Sequence, residues 1–150
     1  MIEQLIEAWN INQQMNRILL EAINEKWLPL RASSEGMTVG QQWAHMSNVK
    51  GNWARMKLKE LAAGFDKIPP NEMHNKAYLL DHLERSASIC AHIFTEYKDG
   101  IYAKGHDITI TSFYSYLLSH DAHHRGQIIL HLKLCGHILP EDVLYGIWKW

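Results

Sequence analysis

Three scarcities narrow this 150-residue sequence before any motif is considered. There is no excess of one charge: 15 Lys and Arg oppose 16 Asp and Glu, for a formal net charge of −1. Nucleic-acid binding needs clustered basic surface, so no nucleic-acid partner is expected. There is no long apolar run either. Nothing approaches the roughly 20 apolar residues that span a bilayer, and no membrane partner is expected. Cysteine is scarce: Cys90 and Cys135 both fall in apolar helical contexts. They read as reduced core thiols of a cytoplasmic protein. The opening "MIEQLIEAWN" mixes acids with its apolar residues and has no basic region ahead of them, so no signal peptide is expected there.

What remains is an ordinary globular balance, 47% hydrophobic and 21% charged, which fits one domain over residues 1–150. That length buries about two-thirds of the unfolded chain's surface. Four long segments have helical periodicity, and no internal repeat is visible. The first runs from about Ile2 to Trp27. The second begins at "TVGQ", where Thr38 can cap and Gln41 can reach back, and ends near Gly64. The third spans about Asn75 to Gly100, with Asn75 as its cap. The fourth starts after "GHDITIT", capped by Thr109 or Thr111, and stops at "CGHILP". In the tail "LPEDVLYGIWKW", Pro140 can open one short helix. "DITIT" has extended character but no second strand to pair with. The expected fold is all-α, a four-helix bundle with a short C-terminal helical tail.

Ten histidines are many for such a chain, and three of them crowd into "SHDAHHRGQI" at residues 119–128. At about 100° per residue, His124 lies about 40° from His120, one turn on, so the two rings can converge on one ion. Phe113, Tyr116, Leu117, Leu134 and Cys135 share their stripe, which places both histidines on a core-facing side. Two buried imidazoles in consecutive turns need partners for all four ring nitrogens, and a shared metal would satisfy one of each. Hydrogen-bonded core histidines are the competing account. A third ligand must come from another helix. The second helix offers only His45, on a stripe with Thr38, Gln41, Val49, Asn52 and Met56. His45 reaches the depth of His120 if the two helices run parallel, and the match is looser if they do not. His131 reads as a hydrogen-bonded core residue. His74, His82, His92, His106 and His137 read as surface, cap or loop residues.

"HDAHHRGQI" resembles the fourth-helix signature of the DinB-like family of metal-dependent enzymes. "TVGQQWAHMSN" is similar to that family's second-helix segment with its single histidine, and "LPEDVLYGIWKW" to its tail. The resemblance covers the whole chain. It implies a four-helix bundle, usually a homodimer, holding one divalent ion through His45, His120 and His124. It also implies metal-dependent transfer or isomerisation with a low-molecular-weight thiol, acting on a small-molecule substrate.

Three neutral nitrogen ligands leave a coordination position open, which suits catalysis better than structure. Such a site can activate water or a thiol. Imidazole sets suit zinc, nickel, copper and iron alike, and zinc or nickel is placed first. Asn12 and Asn16 interrupt the apolar face of the first helix. They belong to an interhelical hydrogen-bond network or orient a substrate. Asn52, Tyr116 and Gln127 are candidate pocket residues, and no catalytic residue is assigned. Arg125 points away from the ligands beside Leu118, Ile129 and Leu132. A second subunit or the tail could cover that back face. Two further readings stand: a small-molecule metallohydrolase, with Asp121 where a zinc protease carries its general base, and a non-catalytic dimeric metal-binding scaffold.

Overall fold

A computed structural model describes residues 1–57, 63–103 and 106–148. It has the expected all-α architecture. The long helices are α1 (Ile2–Ala22), α2 (Val39–Lys57), α3 (Lys76–Glu96) and α4 (Ile110–Leu134), followed by the short α5 (Glu141–Gly146). Three starts follow from capping chemistry. The Thr38 hydroxyl accepts from Gln41 N while the Gln41 side chain accepts from Thr38 N, a reciprocal box. Asn75 accepts from Tyr78 N, and Thr109 from Ser112 N. The first helix stops at Ala22, short of Trp27. Asn24 accepts from Lys26 N and starts a separate 3-10 turn over Glu25–Trp27. The expected continuation of the second helix through residues 58–62 lies outside the described residues.

One expectation fails at "DITIT". β2 (His106–Ile108) pairs antiparallel with β1 (Ile101–Ala103), with Ile101 opposite Ile108. The partner strand has three residues, too few for alternation to show in sequence.

Side-chain contacts settle the helix directions. Gln42 meets His124, Lys50 meets Asp121 and Trp53 meets Phe113, so α2 and α4 are antiparallel. Trp9 lies beside Tyr114 and Asn16 beside Arg125, so α1 and α4 are parallel. Trp9 contacts Phe94 while Arg17 contacts Glu84, so α1 and α3 are antiparallel. The ring order is α1, α3, α2, α4, which makes α2 and α3 parallel neighbours. Their connector must therefore return along the bundle. Phe65 O accepts from Arg55, Ile68 N donates to Asn48, and Met73 reaches the start of α2.

Glycines make that close packing possible. A Cβ at Gly40 would lie 1.9 Å from Met73 O, and one at Gly51 would lie 2.2 Å from the Phe65 ring.

The tail closes one end, where Ile147 and Leu144 pack into the core cluster of Leu19, Leu20 and Leu132. Leu132 is fully buried and Leu118 and Ile129 half-buried within the single chain. Arg125 is buried too, and donates to Asn12 and Asn16. The back face of α4 is therefore filled from inside. Of the two thiols only Cys90 is a core residue, and burial pushes its pKa up to about 12. Cys135 is half-buried at the end of α4, and both are free.

Gly40→Ala should lower unfolding stability by about 1–3 kcal/mol, because the connector backbone must move to admit a methyl group. Urea unfolding checks this; an unchanged midpoint would show that the connector does not hold that position.

Candidate metal centre

His45 of α2 and His120 and His124 of α4 meet where these helices cross. Their ligand atoms lie within 4.8 Å of one another. His45 Nε2 is 3.0 Å from His120 Nε2, and the three ring centroids are 4.6–5.0 Å apart. His124 is buried, whereas His45 and His120 are half-buried. The expected core-facing stripe holds only in part: Phe113, Leu117 and His124 are buried, but Tyr116, Leu134, Met56 and Asn52 on the same faces are exposed, so the stripe runs along the edge of the core. The buried face of α4 carries Leu117, Asp121, His124, Arg125 and Ile128, roughly 80° round from His120 at about 100° per residue. That of α2 carries Trp43, Met46, Ser47 and Lys50. The inward charges Asp121, Arg125 and Lys50 explain the misreading, since unpaired charges are placed outside when a wheel is drawn.

The ring chemistry suits a cation. Burial, then the charge of His45, lowers His120 to about 4. Burial, then His120 and His45, lowers His124 to about 4. Burial also lowers His45. All three rings are therefore neutral near pH 7, with lone pairs available. Gln42 Oε1 lies 3.2 Å from His124 Nδ1; accepting a hydrogen bond from Nδ1–H there would leave the lone pair of Nε2 for an ion. His120 Nδ1 is buried with no partner among the described residues. Two neutral nitrogens 3.0 Å apart need either a shared proton or a cation between them. The observed separations bracket the ~3.3 Å expected between nitrogens in a tetrahedral site with bonds near 2.0–2.1 Å. The donor set thus fits a divalent transition ion.

The other candidates divide. Asn12 and Asn16 are buried and donate to Asp121 Oδ2 at 2.9 and 2.8 Å, not to the histidines. The Tyr116 ring lies 6.0 Å from that of His120, at the open side. Gln127 is half-buried, and its carbonyl accepts from His131 Nδ1 at 2.7 Å. Asn52 is exposed and accepts from Arg55. His82, expected at the surface, is buried against Phe65, with Nε2 donating to Asp66 O. Nothing in its local sequence signals that the connector folds over it. The side chain of His106 lies outside the described residues.

Asp121 does not occupy the position of a general base. Burial alone would raise its carboxyl, but Lys50 and the donors Asn16 and Gln13 outweigh that and hold it below the usual carboxylate range. Both oxygens face inward partners. Gln42 and Lys50 are the residues that sequence reading missed. Gln42 is one turn before His45 in "GQQWAH" and could have been flagged by spacing; Lys50 could not.

One cavity, about 620 Å³, lies between α1 and α3 and touches none of the three histidines. A smaller cleft of about 470 Å³ reaches His45 past Arg31, Met37 and Met73. Proximity to the donor atoms favours the smaller one as the approach to the site.

A four-helix bundle with three converging neutral imidazoles on adjacent helices belongs to the class of all-α proteins able to hold a metal at a half-open site. The chain is a member of the DinB family, whose family model matches residues 1–146. No curated protein matches it.

Two outcomes follow. Gln42→Leu should weaken zinc binding by about 10–100-fold, since Nδ1–H of His124 loses its acceptor; competition with a chromophoric chelator measures it, and unchanged affinity would contradict the role. Histidines of the unfolded chain titrate near 6.5. Between there and about 4 the unfolded chain binds protons that the folded trio refuses. The metal-free protein should therefore lose stability as pH falls through that window. Urea unfolding at about pH 7.5 and about pH 5 tests this, and the loss should shrink when His120 and His124 are both replaced by Ala; an equal loss in that double replacement would refute the assignment.

Proposed function

We propose that the protein is a metal-dependent enzyme holding one divalent ion, zinc or nickel first, through His45, His120 and His124. Its reaction is thiol-dependent transfer on a small molecule. The observation that carries the metal reading is the convergence of three neutral imidazoles from two helices. The thiol chemistry rests on family resemblance together with the open side of the site. A bound ion would act as a Lewis acid that favours the ionised form of a thiol.

The chain's own residues supply the rest. Gln42 holds the His124 ring so that Nε2 faces the site. The cleft past Arg31, Met37 and Met73 admits the substrate, and Tyr116 walls the open side next to His120. No described helix is long and apolar enough to cross a membrane, and a cytoplasmic location is part of the proposal. So is a homodimer. Leu130, Leu134 and Ile138 are exposed near the end of α4, a surface that a second copy could cover.

Elemental analysis of tag-free protein should find about one divalent ion per chain in wild type and a loss of at least tenfold in His124→Ala, as for removal of one of three ligands. Metal-loaded wild type should then consume a thiol cosubstrate with an electrophile such as an activated aryl halide. Turnover with water alone would replace transfer by hydrolysis. If wild type takes up no more added zinc or nickel than His124→Ala does, the metal reading fails.

A further inference from the structure

The apolar core is divided in two. One cluster contains Met15, Leu19, Met46, Leu83 and Ile128, the other Trp9, Ala54, Ala87 and Leu117. Along every long helix, the break between clusters falls at one level. There lie Asn12 and Asn16 of α1, Lys50 of α2, and Asp121 and Arg125 of α4, all buried. Asp121 Oδ1 accepts from Lys50 Nζ at 2.6 Å, and Oδ2 accepts from Asn12, Asn16 and Gln13. Arg125 closes the layer by donating to the oxygens of the same two asparagines.

Stability is a poor reason for such a layer. Two cations face one carboxylate, and a buried ion pair contributes little or nothing beyond well-packed apolar residues of the same volume. Placement suggests a better one. The Lys50–Asp121 pair joins the same two helices that carry the histidines, and Asp121 directly follows His120. The pair is fully buried, whereas the His45–His120 contact lies at the half-exposed edge. A short, directional tie on the inner side of a helix pair fixes both the separation and the rotation that the outer side presents.

We infer that Lys50 and Asp121, with Asn12, Asn16 and Arg125 around them, are positioning residues for the three-histidine site. They set α2 against α4 so that His45 meets His120 and His124. The inference rests on the metal-binding reading above, and its test separates the two.

Cobalt(II) serves as the probe, with affinity measured by chelator competition and coordination read from the visible absorption of the bound ion. Wild type comes first; if it takes up no cobalt, the metal reading fails and the inference falls with it. The double variant Lys50→Met, Asp121→Asn removes both members of the ion pair, so neither is stranded without the other, while Arg125 keeps its bonds to Asn12 and Asn16. It should fold and melt cooperatively, yet bind cobalt about 10–100-fold more weakly, as for loss of groups that orient ligands, with an altered absorption envelope. Leu139→Ala, a cavity in the connector after α4, is the control for stability alone and should keep wild-type affinity and spectrum. If the double variant does not fold, Asn12→Ala decides, with an expected loss of at least about threefold and the same spectral change. Wild-type affinity and spectrum in whichever of these two proteins folds, or an equal loss in Leu139→Ala, would overturn the inference.

Discussion

A carboxylate with no exposed surface needs every lone pair satisfied, and Asp121 draws its donors from two other helices. Lys50 approaches from α2, Asn12 and Asn16 from α1, and Asp121 itself stands on α4. Apolar packing alone leaves helices free to slide and rotate by small amounts, because dispersion is non-directional. A charge-assisted hydrogen bond tolerates far less displacement. Removing either charged partner alone would strand the other and cost about 3–5 kcal/mol, so the two residues act as a unit in fixing how these helices sit.

The candidate centre sits immediately outside that layer, and its properties follow from where it lies. Partial burial keeps the three rings neutral, and at His120 and His124 repulsion from the neighbouring histidines adds to it. Neutral rings are what an incoming cation needs, and partial exposure leaves room for a further ligand. Gln42 contributes from within the core: it is only 1% exposed, and its amide holds the one imidazole that is itself buried. The half-exposed pair, His45 and His120, meets the solvent side. The arrangement therefore grades from a rigid interior to an open edge across two helices, which suits a site that must hold an ion firmly and admit a small molecule beside it.

Much of the fold could be read locally. The caps at Thr38, Asn75 and Thr109 act over three residues, and the helical periods between them are equally local, so the four helices and their starts were legible. The pairing of His120 with His124 was legible for the same reason, since one turn of helix brings them together in any context. The choice of His45 was legible as the single histidine of its helix. The faces of α2 and α4 were not. A wheel turns charged residues toward solvent, and only the meeting of Lys50 with Asp121 reveals that both point inward. His82 escaped for a related reason, because a connector folds back over it, whereas the β1–β2 pair is local but its strands are too short for alternation to show.

The sequence by itself therefore determined the helices, their caps and the residue types offered to a metal, because these rest on hydrogen bonds and spacing within a few residues. Tertiary structure alone decided that α2 runs antiparallel to α4, that Gln42 meets His124, and that the three histidines stand at the edge of the bundle. Each of those depends on residues 71 to 82 positions apart being brought into contact, and no local pattern encodes which buried charge will find which partner.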